Sequence, residues 1–406
     1  MALELTLPMI REARERLRGV AHVTPLDYSA TFSQLTGCRV FFKLENLQKT
    51  GSFKIRGAYN KIMSLAPAER ARGVVCASAG NHAQGVAYAA ARAGIAATVV
   101  MPEGAPISKV AATRGYGAHV VLEGAGYDEA YARACRIQEE TGAVMVHAFD
   151  DPLVAAGQGT IALELLEACP DLDAVVVPVG GGGLIAGVAV AVKSLCPQVK
   201  VLGVQSSGAP AVYLSLRGTG KPAESTPFAT IADGIAVRRP GSFTMEVIRR
   251  YVDDVVLVEE EEIAQAILLL LERSKIVVEG AGAVTLAALL QHRLSLAQKK
   301  VALLLSGGNI DVNVLSIIIE RGLVKSGRIL RLRTVISDRP GSLQRLLAVV
   351  AAARANVMAV NHDRIKPRVP LKQAEVELLL ETGDAAHVEA VMAALEREGY
   401  AAEKVF

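Results

Sequence analysis

Four short stretches of this 406-residue chain carry groups suited to chemistry on a small charged molecule. The first is GSFKIRGA, residues 51–58. Lys54 follows a glycine–serine turn and the ring of Phe53, and precedes a run that reads as helix (Ile55, Arg56, Ala58, Tyr59, Lys61, Ile62, Met63). Alone, Lys54 reads as an ordinary solvated amine; desolvated in a pocket, the same amine is a nucleophile toward carbonyl carbon. The second is ASAGNHAQG, residues 77–85, in which Ser78, Gly80, Asn81 and His82 place small and polar groups at a helix start. Free backbone amides there suit a carboxylate or phosphate. A capped helix, with Ser78 or Asn81 as N-cap, fits these residues equally well, and a single His82 is more often a helix-start hydrogen-bonder than a catalyst. The third is the run Gly180–Gly183, whose amides can converge on one anion with a helix dipole behind them. Gly181, Gly183 and Ala186 also fit the dinucleotide pattern G-x-G-x-x-A. The next strand, however, ends in Val204-Gln205 and lacks the acidic partner of a ribose, so one phosphate is the more economical ligand. The fourth is SGGN, Ser306 to Asn309, a turn between an apolar run and a helix.

Each stretch follows an apolar run or opens a helix, and that cadence repeats along the chain. Short β-branched runs at 73–77, 96–101, 118–122, 143–147, 199–205, 255–258 and 301–305 predict strands, separated by alanine- and leucine-rich helical segments. Near-continuous apolar strands alternating with helices indicate parallel sheets covered on both faces, which bind ligands beyond the carboxyl ends of the strands. Helices are expected from about Ala83 and from Leu184. Residues 174–192 are uncharged and just long enough to cross a bilayer. Pro178 and the four glycines would break such a helix, so a buried strand, a loop and a helix are expected, and no membrane partner.

Composition narrows the classes further. The 44 basic and 41 acidic residues are mixed along the chain, with no basic block interleaved with aromatics, so no nucleic-acid partner is expected. Glu259 to Glu262, the one acidic run, reads as a solvated helix start. Cys38, Cys76, Cys135, Cys169 and Cys196 show no CxxC spacing, which argues against a disulfide framework or zinc site and suits a reducing cytoplasm. The charged N-terminal residues Glu4, Arg11, Glu12, Arg14, Glu15 and Arg16 leave no apolar core for a signal peptide.

SFKIRGA, SAGNHAQG, GGGGL and SGGN, in this order and at these separations, together resemble the pyridoxal-phosphate enzymes of the tryptophan-synthase-β type. Within that group the likeness is to threonine dehydratase (threonine ammonia-lyase), which AGQGTIALE (156–164) and IADGIAV (231–237) also match. It spans roughly residues 5–325. The resemblance implies two parallel-sheet α/β subdomains within residues 1–325, the smaller at about 45–150. It also implies roles. Lys54 would carry pyridoxal 5'-phosphate as an internal Schiff base, with Phe53 against the ring. Gly180, Gly181, Gly182 and Gly183 would hold the phosphate, Asn81 the ring hydroxyl, and Ser306 would face the pyridine nitrogen. Ser78, Asn81 and His82, with the amides around Ala79 and Gly80, would receive the substrate carboxylate. Freed Lys54 would take the α-proton, and the β-hydroxyl would leave. A neutral serine cannot keep the ring nitrogen protonated as a carboxylate would, which favours elimination over transamination.

Departures from the pattern narrow the choice. Serine racemases of this type carry a second serine in the SSGNH loop; Ala79 stands there in this chain. The run that binds a divalent cation in those enzymes corresponds to 205–211, which has no carboxylate, so no metal is expected. Phe149, in HAFDDP, sits where the racemases have asparagine and would suit threonine's methyl group. That contact is worth about 0.8 kcal/mol, within the roughly 10–200-fold limit of discrimination by one methylene.

Beyond about residue 328 the pattern changes. The order strand, helix, strand, strand, helix, strand over 328–406 is the ferredoxin-like plan, and with SDRPGSL (337–343) it resembles an ACT domain, a regulatory module that binds amino acids between paired copies. Asp338, Gly341, Ser342, Leu343 and Asn356 would lie nearest such an effector; a dimerising domain that binds nothing is the alternative. The expected protein is thus a cytoplasmic homo-oligomer, dimer or tetramer, acting on L-threonine and secondarily on L-serine, feeding isoleucine synthesis and answering to an amino acid. A serine racemase or serine dehydratase, a nicotinamide oxidoreductase and a non-catalytic amino-acid sensor are the other readings.

Overall fold

The computed structural model describes residues 4–218, 230–366 and 369–406. By contacts the chain divides into two compact units, Met1–Asp311 and Val312–Phe406. The first holds two sheets. Its larger sheet orders the strands Leu26–Tyr28, Arg39–Leu44, Lys300–Leu305, Ala174–Pro178, Lys200–Ser206 and Asp254–Val258. The first two pair antiparallel and the rest parallel. The smaller sheet, all parallel, orders His119–Leu122, Ala97–Met101, Val74–Ala77 and Val144–Met145. This is the expected α/β architecture of the tryptophan-synthase-β type.

Strand Arg39–Leu44 is an addition. Its Lys43 is buried and paired with Glu164, so a charge sits where the apolar pattern of a central strand calls for a hydrophobe. Helices Gly183–Leu195 and Gly280–Leu290 are buried almost all round, as befits helices between sheets and neighbouring helices. The AGQGTIALE motif lies on helix Pro152–Ala168, which packs backbone to backbone on two others. A Cβ on Gly157 would lie 2.4 Å from the Arg56 carbonyl oxygen, and one on Gly187 would lie 2.1 Å from that of Ala155. Only hydrogen fits at either contact.

The second unit runs helix Val312–Lys325, then Ile329–Ser337, Ser342–Ala352, Asn356–Asp363, Gln373–Glu381, Ala385–Arg397 and Ala402–Lys404. From Ile329 onward this is the expected ferredoxin-like order. Its sheet is antiparallel, in the order Asn356–Asp363, Gln373–Glu381, Ile329–Ser337, Ala402–Lys404. Leu330, Leu332, Leu346, Val350, Val376, Leu378, Val391 and Leu395 form its own core. Among the described residues no helix is long and apolar enough to cross a membrane, and no His/Cys/Asp/Glu group could hold a metal.

Candidate active site

Strands Lys300–Leu305 and Ala174–Pro178 are neighbours in parallel register, so the turns that follow them, SGGN and GGGG, emerge side by side. Strand Val74–Ala77 of the smaller sheet delivers Ser78 to the same cleft. A cavity of about 780 Å³ opens there, lined by Phe53, Lys54, Ser78–His82, Phe149, Gly180–Gly183, Glu279 and Ser306, among others. All the residues expected at the catalytic site thus meet in one place.

Lys54 begins helix Lys54–Met63. Phe53 is fixed by its amide donating to the Ser306 carbonyl oxygen at 3.1 Å, and Ser52 bridges Gly307 in antiparallel fashion. The lysine is thereby tied to the SGGN turn. Its Nζ donates to the Ala148 carbonyl oxygen at 2.9 Å and lies 5.3 Å from the centre of the Phe53 ring. The side chain opens on the cleft, yet the surrounding protein desolvates the amine and lowers its pKa to about 8, although Glu279 pulls the other way. At pH 7 about one such amine in ten is neutral, roughly 300 times the fraction of an ordinary lysine. Attack on an aldehyde needs the neutral amine. The rate at which apoenzyme recombines with its aldehyde cofactor should therefore rise with pH and level off above about 8, as followed by stopped-flow absorbance; a rise continuing past 10 would mark an unperturbed lysine.

The glycine run makes a shaped cradle. A Cβ on Gly181 would lie 2.3 Å from the Phe149 ring, and one on Gly183 would lie 2.8 Å from the Phe149 backbone. Gly182 has φ +98°, a left-handed conformation that glycine adopts without strain. Thr244 Oγ1 donates to the Gly181 carbonyl oxygen at 2.6 Å, which turns the loop amides toward the cleft. The helix behind starts at Gly183, one residue before the expected Leu184, so its dipole faces the same space. Phe149 lies edge-on to His147, with ring centres 4.6 Å apart. Its ring is a wall of the phosphate cradle as well as of the cleft.

The second motif opens helix Asn81–Ala93, two residues earlier than expected. Gly80 is its N-cap, without a side-chain cap, and the Gly80 amide donates to Ser78 Oγ at 3.2 Å. Asn81 Oδ1 accepts from Asn309 Nδ2 at 2.7 Å, and Asn81 Nδ2 donates to Glu279 Oε1 at 2.7 Å. The amide is therefore held with its second N–H available to a ligand. His82 departs from the expectation. Its Nε2 lies 2.8 Å from the Val146 carbonyl oxygen, and a carbonyl only accepts, so Nε2 carries the proton. Nδ1, buried and unpartnered, presents a lone pair that cannot receive a carboxylate. Burial pushes the imidazole down to about 3, which keeps it neutral.

The sequence pattern does not single out Glu279. It is 4% exposed and lines the cleft, and burial raises its carboxyl to about 7 against the hydrogen bond from Asn81. A lone acid in VVEGAG, just before a helix, reads as an N-cap; only the fold reveals that it faces Asn81. Across the mouth of the cleft Lys109 Nζ meets Asp233 Oδ2 at 2.7 Å, which joins a helix beside the smaller sheet to the IADGIAV turn.

In the second unit the turn after the first strand brings together Asp338, Gly341, Ser342 and Leu343. Asp338 pairs with Arg364 at 3.0 Å, and Ser342 Oγ lies 3.0 Å from Ser337 Oγ. Asn356 is elsewhere: it stands opposite Glu381 and hence level with Ile329, at the far end of the strand from Ser337. At roughly 3.3 Å per residue that is about 25 Å away within one chain.

The residues present fit pyridoxal 5'-phosphate: a desolvated lysine, a cradle a Cβ would fill with a helix dipole behind it, and a buried serine hydroxyl on the opposite wall. Residues 17–307 match the family described as pyridoxal-phosphate dependent enzyme, and residues 326–399 match the ACT domain. The chain belongs to the pyridoxal-phosphate dependent enzyme family, and its cofactor is pyridoxal 5'-phosphate. It is 57% identical over 397 residues, covering 98% of each chain, to the L-threonine ammonia-lyase of Thermotoga maritima. Among solved structures, a bacterial-type threonine deaminase (source given as T.th.) superposes with TM-score 0.71 at 45% identity, covering 75% of this chain and 99% of that one. The serine racemase of Dictyostelium discoideum superposes with TM-score 0.71 at 42% identity, covering 76% and 99%.

Proposed function

We propose that the protein converts L-threonine to 2-oxobutanoate and ammonia, with L-serine to pyruvate as a lesser activity. The observation that carries this reading is the convergence of Lys54, the glycine cradle and Ser306 on one cleft, in a chain so similar to an L-threonine ammonia-lyase. When bound, the cofactor supplies an electron sink for the α-carbon of the amino acid. The chain's own groups do the rest. The amides of Gly180–Gly183 hold the phosphate, and Asn81 donates its second N–H to the ring hydroxyl. Ser306, a neutral hydroxyl 2% exposed, faces the ring nitrogen and leaves it unprotonated, which favours prompt elimination. Ser78, the amides of Ala79 and Gly80, and Asn81 take the substrate carboxylate. Lys54 anchors the cofactor and, once free, removes the α-proton; a pKa near 8 suits a general base at neutral pH. Phe149 gives threonine's methyl an apolar neighbour. His82, neutral and bonded to Val146, shapes the wall.

Purified holoenzyme supplied with L-threonine should yield 2-oxobutanoate and ammonia in equal amounts. A threonine isomer as the main product, or no oxo acid, would overturn the assignment. Ala79 lines the cleft where the racemases carry a serine. Ala79→Ser should add an acid on the second face of the α-carbon and yield detectable D-serine from L-serine on a chiral column, while elimination continues. A product mixture without the D-isomer would show that the surroundings of position 79 block racemisation.

The organisation that supports this activity is a catalytic part, residues 1–325, and an ACT domain, residues 328–406, whose effector is an amino acid, with isoleucine the leading candidate. The working form is a homo-oligomer, dimer or tetramer, in the cytoplasm, serving isoleucine synthesis. The second unit has its own core and none of the cleft residues. A chain ending at Lys325 should therefore keep cofactor and turnover but lose the response to isoleucine, a coupling of about 1–3 kcal/mol in the full chain. Gly341 has φ +83°, so any side chain strains this turn. Gly341→Asn and Gly341→Asp share that strain and differ in charge. Only the aspartate should repel an effector carboxylate, shifting half-maximal inhibition to higher isoleucine. Equal shifts in the two variants, or no amino-acid response in the full-length enzyme, would leave a structural domain only.

A further inference from the structure

A second group of ionised side chains lies sealed inside the first unit, outside the cleft. Arg56 and Lys43 are each 1% exposed in their side chains, Glu45 0% and Glu164 9%. The guanidinium of Arg56 grips two carboxylates at once. Its Nε and Nη2 donate to Glu45 Oε2 and Oε1 at 2.8 and 2.7 Å, and its Nη1 and Nη2 donate to Glu164 Oε1 and Oε2 at 2.6 and 3.0 Å. Further bonds run from Nη1 to Thr160 Oγ1 and from Nη2 to the His22 carbonyl oxygen, both 3.1 Å. Lys43 Nζ donates to Glu164 Oε2 at 2.5 Å and to the Thr24 carbonyl oxygen at 2.6 Å. Thr24 Oγ1 completes the set by donating to Glu45 Oε1 at 2.5 Å. Two cations thus match two anions, and every charge is bonded.

We propose that this cluster is a positioning device for Lys54: Arg56 fixes the rotation and height of the lysine helix so that the amine reaches the cofactor. The proposal rests on the reading of Lys54 as the cofactor's lysine. Three observations support it. Lys54 and Arg56 share the first turn of helix Lys54–Met63 and point about 200° apart at 3.6 residues per turn, so while Lys54 faces the cleft Arg56 faces the body of the protein. The anchors come from three separate places: the end of strand Arg39–Leu44, helix Pro152–Ala168, and the segment His22–Thr24. They act on the helix from more than one direction. The same helix Pro152–Ala168 touches the lysine helix twice more, through Gln158 Oε1, which accepts from the Gly57 amide at 3.2 Å, and through the close approach at Gly157. A buried ion network is a poor device for stability, because well-packed apolar groups would serve as well or better. Its strength is geometry, and a planar fork bonded to two carboxylates defines direction where a hydrophobic contact does not.

The test uses full-length holoenzyme bearing Arg56→Lys, which keeps the charge and loses the fork, and Glu164→Gln, which keeps the Arg56–Glu45 pair. Three quantities are measured on folded protein: kcat and KM for L-threonine, the fraction of bound cofactor trapped on Lys54 by brief borohydride reduction, and Tm. A displacement of about 1 Å at the reacting amine costs on the order of 100-fold in rate. Arg56→Lys should therefore lower kcat by about that factor and reduce trapping on Lys54, with KM changed far less, and Glu164→Gln should do the same to a smaller extent. A fall in Tm with kcat and trapping unchanged would overturn the proposal and leave the cluster a purely structural one. If Arg56→Lys yields no folded protein, Glu164→Gln decides by the same criteria. Lys54→Ala, run alongside, separates the two claims. Trapped cofactor that survives in Lys54→Ala would sink the lysine assignment itself. Trapping lost there but unchanged in both cluster variants would sink only the positioning role.

Discussion

Lys54→Ala should abolish turnover of L-threonine and remove the visible absorbance that bound cofactor gains on joining a lysine. The amine is both the anchor and the base. Its loss removes general-base catalysis worth about 10²–10⁴-fold and the covalent attachment together. Nothing else in the cleft substitutes for it: Lys109 is paired with Asp233 at the mouth, and His82 is a neutral imidazole bonded to Val146. The fold itself should survive, because the helix that Lys54 begins is held from behind by Arg56 and by Gly157 and Gly57. The checks are a coupled assay for oxo acid, an absorbance spectrum of the purified variant and its circular dichroism. Native-like dichroism with more than trace activity would remove Lys54 from the mechanism.

Gly181→Ala should be the most damaging single methyl in the protein's cofactor cradle. The added Cβ would lie 2.3–2.4 Å from three carbons of the Phe149 ring, far inside contact distance, so the ring or the loop must move. Thr244 holds the loop from the far side through the Gly181 carbonyl, which leaves the phosphate-binding amides to absorb the shift. Losing one or two bonds to a charged ligand, each worth about 1.5–3 kcal/mol, should weaken cofactor affinity by roughly 10–1,000-fold, measured by fluorescence titration of apoenzyme. Gly104→Ala serves as a control, because a Cβ there meets nothing within 4 Å. In a Phe149→Ala background the same glycine substitution should cost less, since the clashing ring is gone and the two sites are coupled. Equal losses in both backgrounds would mean that the damage comes from backbone conformation rather than from the ring.

Much of the site was legible in the sequence because its parts are backbone devices. Glycine runs, small polar turns and helix starts are written locally, and the rule that parallel sheets bind ligands beyond their carboxyl ends brings Ser78, Gly180 and Ser306 together without further information. Polar groups whose partners lie far along the chain were not legible. Glu279 acquires meaning only when Asn81 is placed beside it, 198 residues earlier in the chain. Strand Arg39–Leu44 hides behind Lys43, whose charge is matched by Glu164 from another element. His82 sits where the motif predicts, but its ring turns to Val146 for a reason that depends on the smaller sheet. In the second unit the alternation of Leu330, Leu332, Thr334 and Ile336 reveals the strand and its buried face. It carries no hint that Asn356 stands at the opposite end of the sheet from Asp338.

The most direct measurement for the central claim is to reduce the holoenzyme with borohydride, digest it and locate the pyridoxyl group by mass spectrometry. The expected result is one modified peptide carrying the group on Lys54, with the modification prevented when the cofactor is first removed. A pyridoxyl group on Lys43, Lys49, Lys61 or Lys109, or a holoenzyme that yields no modified lysine, would contradict the account.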